Sequence, residues 1–206
     1  QELHDDCVAD TADIQVTINP ATFNCSALSG NTVTITAIDS CGNPTVGTAI
    51  VTINDPEFPT ITCQANQLAN NDAGVCTATL TLADPIVSDN CTVDSVYWSM
   101  SGASTSVSPK TAKHQFVGTY TFQIGTTTIL YTVKDQSGNT TTCSFTVTVN
   151  DNSVPISATM PANVAHIAWE ERLGYSFTIP TVTDNCNTIS SYSMTINGGS
   201  AIDLAG

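Results

Sequence analysis

Between Thr126 and Val149 polar and apolar positions alternate in two runs separated by a polar turn. The runs TTTILYTV (126–133) and CSFTVTV (143–149) set every second residue on one face. A period of two marks half-buried strands, because successive side chains of an extended backbone point to opposite sides. Val, Thr and aromatic residues fill these runs, and Gly, Asn and Asp punctuate them, which is the texture of short antiparallel strands joined by turns. No stretch carries helical periodicity. The pattern predicts an all-β chain.

The pattern also repeats. VTINDPEFPTIT (51–62) returns as VTVNDNSVPISA (147–158), 96 positions on, and IDSCGN (38–43) returns as KDQSGN (134–139) at the same offset of 96. A third motif occurs as Asp-Asp-Cys ending at Cys7 and as Asp-Asn-Cys ending at Cys91 and Cys186, with spacings of 84 and 95. The first unit is therefore about 12 residues shorter between this motif and its Asp-x-x-Gly-Asn turn, a difference assigned to a loop around 101–116. Residues 56–151 form the one complete copy, residues 1–55 the back part of a preceding repeat and residues 152–206 the front part of a following one. A unit of that length with about seven short strands fits an immunoglobulin-like β-sandwich. The expected architecture is a tandem set of such sandwiches in an extended array, cut as a window from something longer.

Charge narrows the chemistry. The 206 residues hold 18 Asp and Glu against 4 Lys and Arg, a formal charge of −14. A polyanion gains nothing by displacing counterions from phosphates and is repelled by anionic membranes, so nucleic acid is excluded as an expected partner and a divalent cation is favoured. Eight cysteines stand singly, without a CxxC pair or zinc-type His spacing, which favours disulfides and an oxidising, extracellular setting. No signal peptide and no apolar run of membrane-spanning length is present, so this segment is expected not to be membrane-embedded.

On these residues the middle unit resembles a hyalin repeat. The likeness is carried by Cys63, Asp89-Asn90-Cys91, Ile124-Gly125-Thr126-Thr127 leading into Tyr131-Thr132-Val133, Lys134 to Asn139, and Thr142-Cys143-Ser144-Phe145 running into Val147 to Asp151. The first unit, through Phe23-Asn24-Cys25 and Gly30-Asn31-Thr32-Val33-Thr34, resembles a related repeat of giant surface proteins of Bacteroidota. The mixture is similar to the gliding-motility adhesins of that phylum. The third unit departs from the pattern, with Met160-Pro161 where a Cys is expected and Trp169-Glu170-Glu171-Arg172 without a counterpart. The resemblance implies a non-catalytic stalk at the cell surface, whose partners are neighbouring repeats and an unspecified polysaccharide or protein ligand. The alternative is a binding or spacer module of a secreted enzyme.

Candidate sites follow from topology. No nucleophile stands beside a base, and His4, His114 and His166 fall at non-equivalent places, so no catalytic residue is assigned. Trp98 is expected in the sandwich core, with Tyr97 facing outward, while Trp169 is left unplaced. In such a sandwich the chain enters at the end to which the BC and FG loops return, which predicts the disulfides Cys63–Cys143 and Cys7–Cys41. Cys76 and Cys91 pair by elimination, although a straight strand between them would hold their sulfurs on the order of 25 Å apart and the pair demands a bend. Cys25 and Cys186 are expected to find partners outside the chain or to be free.

The same topology gathers Asp89 on the BC loop and Asp135 on the FG loop where the Asn54-Asp55 linker enters. These hard oxygen ligands suit Ca²⁺, and the Asn-Asp-x-x-x-Pro linker resembles the calcium-binding linkers of cadherins. The alternative is that they only cap turns. Asp151 and Asp184 form the matching half-site at the next joint. Asp10-Thr11-Ala12 and Asp94-Ser95-Val96 fit an O-glycosylation pattern at Thr11 and Ser95, against plain strand residues; Asn24, Asn90 and Asn139 lie in Asn-x-Ser/Thr triplets that matter only in a eukaryotic secretory setting.

Overall fold

The computed structural model describes residues 14–109, 113–157, 182–186, 189, 193–194 and 202–203. Three strands come from the first unit: β1 (Gln15–Asn19), β2 (Ser29–Ile38) and β3 (Pro44–Ile53), ordered β1-β2-β3 in one antiparallel sheet. The middle unit supplies β4 (Thr60–Thr62), β5 (Gln67–Asn70), β6 (Thr77–Thr81), β7 (Ile86–Ser88), β8 (Val93–Gly102), β9 (Ser106–Val107), β10 (Thr119–Gln123), β11 (Gly125–Asp135) and β12 (Thr140–Asn150). Five of these form the sheet β5-β12-β11-β8-β9, opposed by the pairs β10-β6 and β4-β7. The arrangement is an immunoglobulin-like sandwich, with β5 parallel to β12 at one edge.

The alternation seen in the sequence decides which residues enter the core. Val96, Trp98 and Met100 on β8, Ile129, Tyr131 and Val133 on β11, and Phe145, Val147 and Val149 on β12 are buried, and Phe122 and Ala78 meet them from the opposite layer. Fully burying a side chain of this size stabilises by roughly 1.5–3 kcal/mol relative to exposure. Trp98 is a core residue and Tyr97 faces outward. Polar positions on the outer faces pair across strands, as in Thr79 with Thr121, Thr81 with Thr119 and Thr126 with Thr148.

Asp135 continues the inward series of β11. At 1% exposure it is as buried as the apolar residues before it, at the point where the β8–β11 register shifts past Lys134. A carboxylate on the core face of a strand end must be met by hydrogen bonds or a cation, because an isolated buried charge is costly.

The Cys63–Cys143 disulfide is present, closing 80 residues of the middle unit with Cα atoms 5.8 Å apart. Cys41 is disulfide-bonded, and its expected partner Cys7 lies outside the described residues, as do Thr11, His4, His166, Met160-Pro161 and Trp169 to Arg172. The region around 101–116 contains β9, which hairpins onto β8, and His114, which bridges in parallel to Val96; residues 110–112 are outside the described set. In the third unit β13 (Ile156–Ser157) pairs antiparallel with β14 (Val182–Thr183). Ile156 opposes Thr183 just as Thr60 opposes Ser88, so the third unit opens with the register of the middle one.

Candidate functional site at the joints between units

Three turns bring three carboxylates together where the first unit passes into the middle one. Each begins as local Asx chemistry, in which a short acidic side chain accepts hydrogen bonds from backbone amides a few residues ahead. In the linker, Asp55 Oδ1 accepts from Glu57 N at 3.2 Å. In the BC loop, Asp89 Oδ2 accepts from Cys91 N and Thr92 N, both at 3.0 Å. In the FG loop, Asp135 Oδ1 accepts from Gly138 N at 2.6 Å and Asn139 N at 2.8 Å, and Gly138 takes the positive φ of 100° that this turn requires. The first unit builds the same turn: Asn43 N donates to Asp39 Oδ1 at 2.7 Å, and Gly42 has φ 86°.

Two asparagines then lock the turns together. Asn139 Nδ2 donates to Asp135 Oδ2 at 2.7 Å, to Glu57 O at 2.8 Å and to Asp55 O at 3.1 Å, tying the FG loop to the linker. Asn90 Nδ2 donates to Asp55 Oδ1 at 3.1 Å and ties in the BC loop. The outcome is that Asp55, Asp89 and Asp135 each offer a carboxylate oxygen, all within 4.8 Å of one another.

Turn capping leaves part of this cluster unexplained. Asp55 Oδ2 and Asp89 Oδ1 are buried and have no hydrogen-bond partner, and Asp55 as a whole is only 8% exposed. An acceptor oxygen out of contact with water and without a donor carries a desolvation cost on the order of 1–3 kcal/mol, more when charged. A hard cation would satisfy these oxygens, and carboxylates with neighbouring carbonyls are the donor set that Ca²⁺ takes. The residues present therefore fit such an ion. A cleft lined by Leu28, Ser29 and Ile53 on one side and Gln136 and Ser137 on the other opens onto Asp55 and provides an approach.

A covalent clamp stands beside the carboxylates. Cys91, next to Asp89 and Asn90, is bonded to Cys25 of the first unit, with Cα atoms 5.2 Å apart and a sequence separation of 66. This corrects two expectations, the Cys76–Cys91 pair and an outside or absent partner for Cys25. Cys76 precedes β6, and its carbonyl accepts from Ile124 N at 3.2 Å, at the end of the sandwich opposite the BC loop. No bend closes that distance. Cys25 opens a 3-10 turn (Cys25–Ala27) capped by the Asn24 side chain, on the face of the first unit that meets the middle one.

The second joint reproduces part of this framework. Asp151 Oδ1 accepts from Ser153 N at 3.0 Å, and Asp184 Oδ1 accepts from Cys186 N at 2.8 Å, as Asp55 and Asp89 do at the first joint. Here the cluster is Asp151, Asp184 and the Cys186 sulfur. Partial burial, a hydrogen bond with Cys76 and the two nearby carboxylates push the Cys186 thiol up to about 12.

Elsewhere, Ser95 is half-buried on β8 beside Asp94, which pairs with Lys113 at 2.7 Å. Thr11 lies outside the described residues. The sequence motifs that contain Asn90 and Asn139 do not mark the side-chain amides of these two residues as organisers of the site. Their signal was recurrence: Asn43 and Asn139 close equivalent turns, and Asn90 and Asn185 precede equivalent cysteines.

Residues 54–149 match the HYR domain family, which supports a hyalin repeat over the middle unit. Over 177 residues the chain is 30% identical to Hyalin of Strongylocentrotus purpuratus, covering 81% of this chain and 13% of that protein. Among solved structures, a cis-dimer of protocadherin gammaB7 EC3-6 overlays with a TM-score of 0.34 at 15% identity, covering 71% of this chain and 44% of the other. Extracellular cadherin domains 3–6 of protocadherin gamma B2 overlay with a TM-score of 0.33 at 17% identity and the same coverages, 71% and 44%.

Proposed function

With a hyalin repeat over residues 54–149 as the premise, we propose that this chain is a non-catalytic, extracellular adhesion segment whose joints between units are stiffened by calcium. The carrying observation is the pair of buried, unpartnered carboxylate oxygens of Asp55 and Asp89, gathered with Asp135 where linker, BC loop and FG loop meet. Three carboxylates held this close repel one another, and a divalent ion turns that repulsion into attraction. Because the ligands belong to the linker and to two loops of the next sandwich, the ion resists bending between units. A stalk that presents a binding region at a cell surface and transmits force needs such joints. We further place the segment in a Bacteroidota surface adhesin of the gliding-motility type, with neighbouring repeats as its structural partners and a polysaccharide or protein ligand at the surface.

No helix among the described residues is long and apolar enough to cross a membrane. Asp151 and Asp184 are proposed as the corresponding half-site of the next joint, and Thr11 and Ser95 as O-glycan acceptors. The test is calorimetric titration of the purified chain with calcium after chelation. Wild type is expected to release or absorb heat with saturation at about one ion per complete joint, and Asp135→Asn to weaken binding by tenfold or more while the fold persists. Absence of heat in wild type would return all three aspartates to the role of turn caps.

A further inference from the structure

At the second joint two thiols face each other where the first joint has a bond. Cys76 Sγ lies 2.6 Å from the Asn185 carbonyl oxygen, and Cys186 Sγ lies 3.6 Å from the Val75 carbonyl oxygen. Each sulfur thus rests on the residue immediately before the other cysteine, so the two side chains run past one another. Asn71 holds both partners in place: its Nδ2 donates to Val75 O at 2.9 Å and to Ser153 Oγ at 2.8 Å and reaches Cys186 Sγ at 3.6 Å, while its Oδ1 accepts from Asn152 N at 2.8 Å.

The first joint supplies the comparison. There Cys25 Sγ lies 3.8 Å from the carbonyl oxygen of Asn90, the residue before Cys91, and the two sulfurs are bonded. The framing aspartates are equivalent, Asp89 holding the Cys91 amide and Asp184 the Cys186 amide. The donor cysteine comes from a different element in each case. Cys25 precedes β2, whereas Cys76 precedes β6, but the bond from Ile124 N to Cys76 O sets Cys76 beside the start of β11, the strand that corresponds to β2. Two different sequence positions thereby deliver a sulfur to the same end of their unit.

We propose that Cys76 and Cys186, unbonded in this structure, are the acceptor pair for a second inter-unit disulfide, closed by exchange with a disulfide oxidant such as oxidised glutathione or the disulfide of a thiol oxidoreductase. One cysteine thiolate attacks a sulfur of the oxidant, forming a mixed disulfide and expelling one reduced thiol. The second thiolate attacks the protein sulfur of that mixed disulfide and expels the other. The two cysteines lose two protons and two electrons, and the oxidant takes up both. Successive units are then stapled at each joint by the cysteine of the Asp-Asn-Cys loop. This inference rests on joint geometry and does not depend on calcium.

The test is to equilibrate the full chain with oxidised and reduced glutathione, denature it in N-ethylmaleimide, and map its peptides without reduction. A peptide joining Cys76 to Cys186, two hydrogens lighter than its reduced parts, is expected, with neither cysteine alkylated. In Cys76→Ser, Cys186 should gain a single alkyl or glutathione adduct while the Cys25–Cys91 and Cys63–Cys143 peptides stay joined. Cys186→Ser should do the same at Cys76, and both side chains are only half-buried, so neither change removes core packing. Alkylation of both thiols in wild type while Cys25–Cys91 remains closed would overturn the proposal. So would linkage of either to another cysteine, or protection that disappears on adding a chelator.

Discussion

At the first joint Asp55, Asp89 and Asp135 converge beside a closed disulfide; at the second, Asp151 and Asp184 converge beside two thiols. The backbone turns that hold the linker and BC-loop carboxylates are the same in both. What differs among the described residues is the cysteine pair, closed at the first joint and open at the second. The FG loop reaches into the first joint through Asp135 and Asn139, and Asn139 bonds to the linker backbone at two carbonyls. Among the described residues, the third member at the second joint is the Cys186 sulfur. The comparison teaches that the Asx turns are a local property of each repeat, whereas the three-carboxylate cluster of the first joint is assembled from a linker and two loops.

The largest effect should come from the bond that belongs to neither joint. Opening Cys63–Cys143 by the double change Cys63→Ala and Cys143→Ala releases an 80-residue loop, and the chain-entropy model gives a loss of about 4.5 kcal/mol from the middle sandwich. Denaturant unfolding should register it, with no change in calcium affinity. A loss of calcium binding in this variant would mean that the first joint depends on the sandwich more than its own turns suggest.

Calcium should come next. At one hundred times its dissociation constant an ion bound only to the folded state stabilises by about 2.7 kcal/mol. Thermal unfolding in calcium and in chelator should show this gain in wild type and a much reduced one in Asp135→Asn. If Asp151→Asn and Asp184→Asn reduce the gain equally, the two joints are more alike than their ligands indicate.

Breaking the clamp should move shape rather than stability. Cys25→Ser leaves every core residue of the middle sandwich in place, so its unfolding free energy should change by less than about 0.5 kcal/mol. Small-angle scattering in chelator should nonetheless show a broader distribution of dimensions than in wild type, because the clamp and the ion restrain the same hinge. Identical scattering from the two would mean that the linker hydrogen bonds alone fix the joint.

How much of this was legible in the sequence follows from the range of each interaction. Alternation along β11 and β12 is a local signal that marked them as strands, and the sandwich it implied placed Trp98 of β8 in the core, where it is buried. The 96-residue offset marked equivalent turns, and sandwich topology then placed Cys63 near Cys143 and Asp55 near Asp89 and Asp135. Cys25–Cys91 was missed because pairing was sought within units, and a bond between units leaves no mark in the periodicity of either. Asn139 was missed for a similar reason: its bonds to Asp55 and Glu57 span 84 and 82 residues.

The smallest effect lies away from both joints. The hydrogen bond and charge of Lys113 hold the Asp94 carboxyl below its ordinary value, so that contribution is present at neutral pH and is lost on acidification through the lowered range. In Lys113→Ala the Asp94 carboxyl should titrate higher than in wild type by carbon-detected NMR, with no measurable change in calcium binding. A change there would extend the site well beyond its three turns.

The central claim is that Asp55, Asp89 and Asp135 hold one cation jointly, and the carboxyl carbon resonances of these residues test it directly. On adding calcium to chelated protein, all three should shift together along one saturation curve, while Asp72 and Asp94 stay in place. Shifts spread evenly over the acidic surface, or confined to one of the three, would contradict the account.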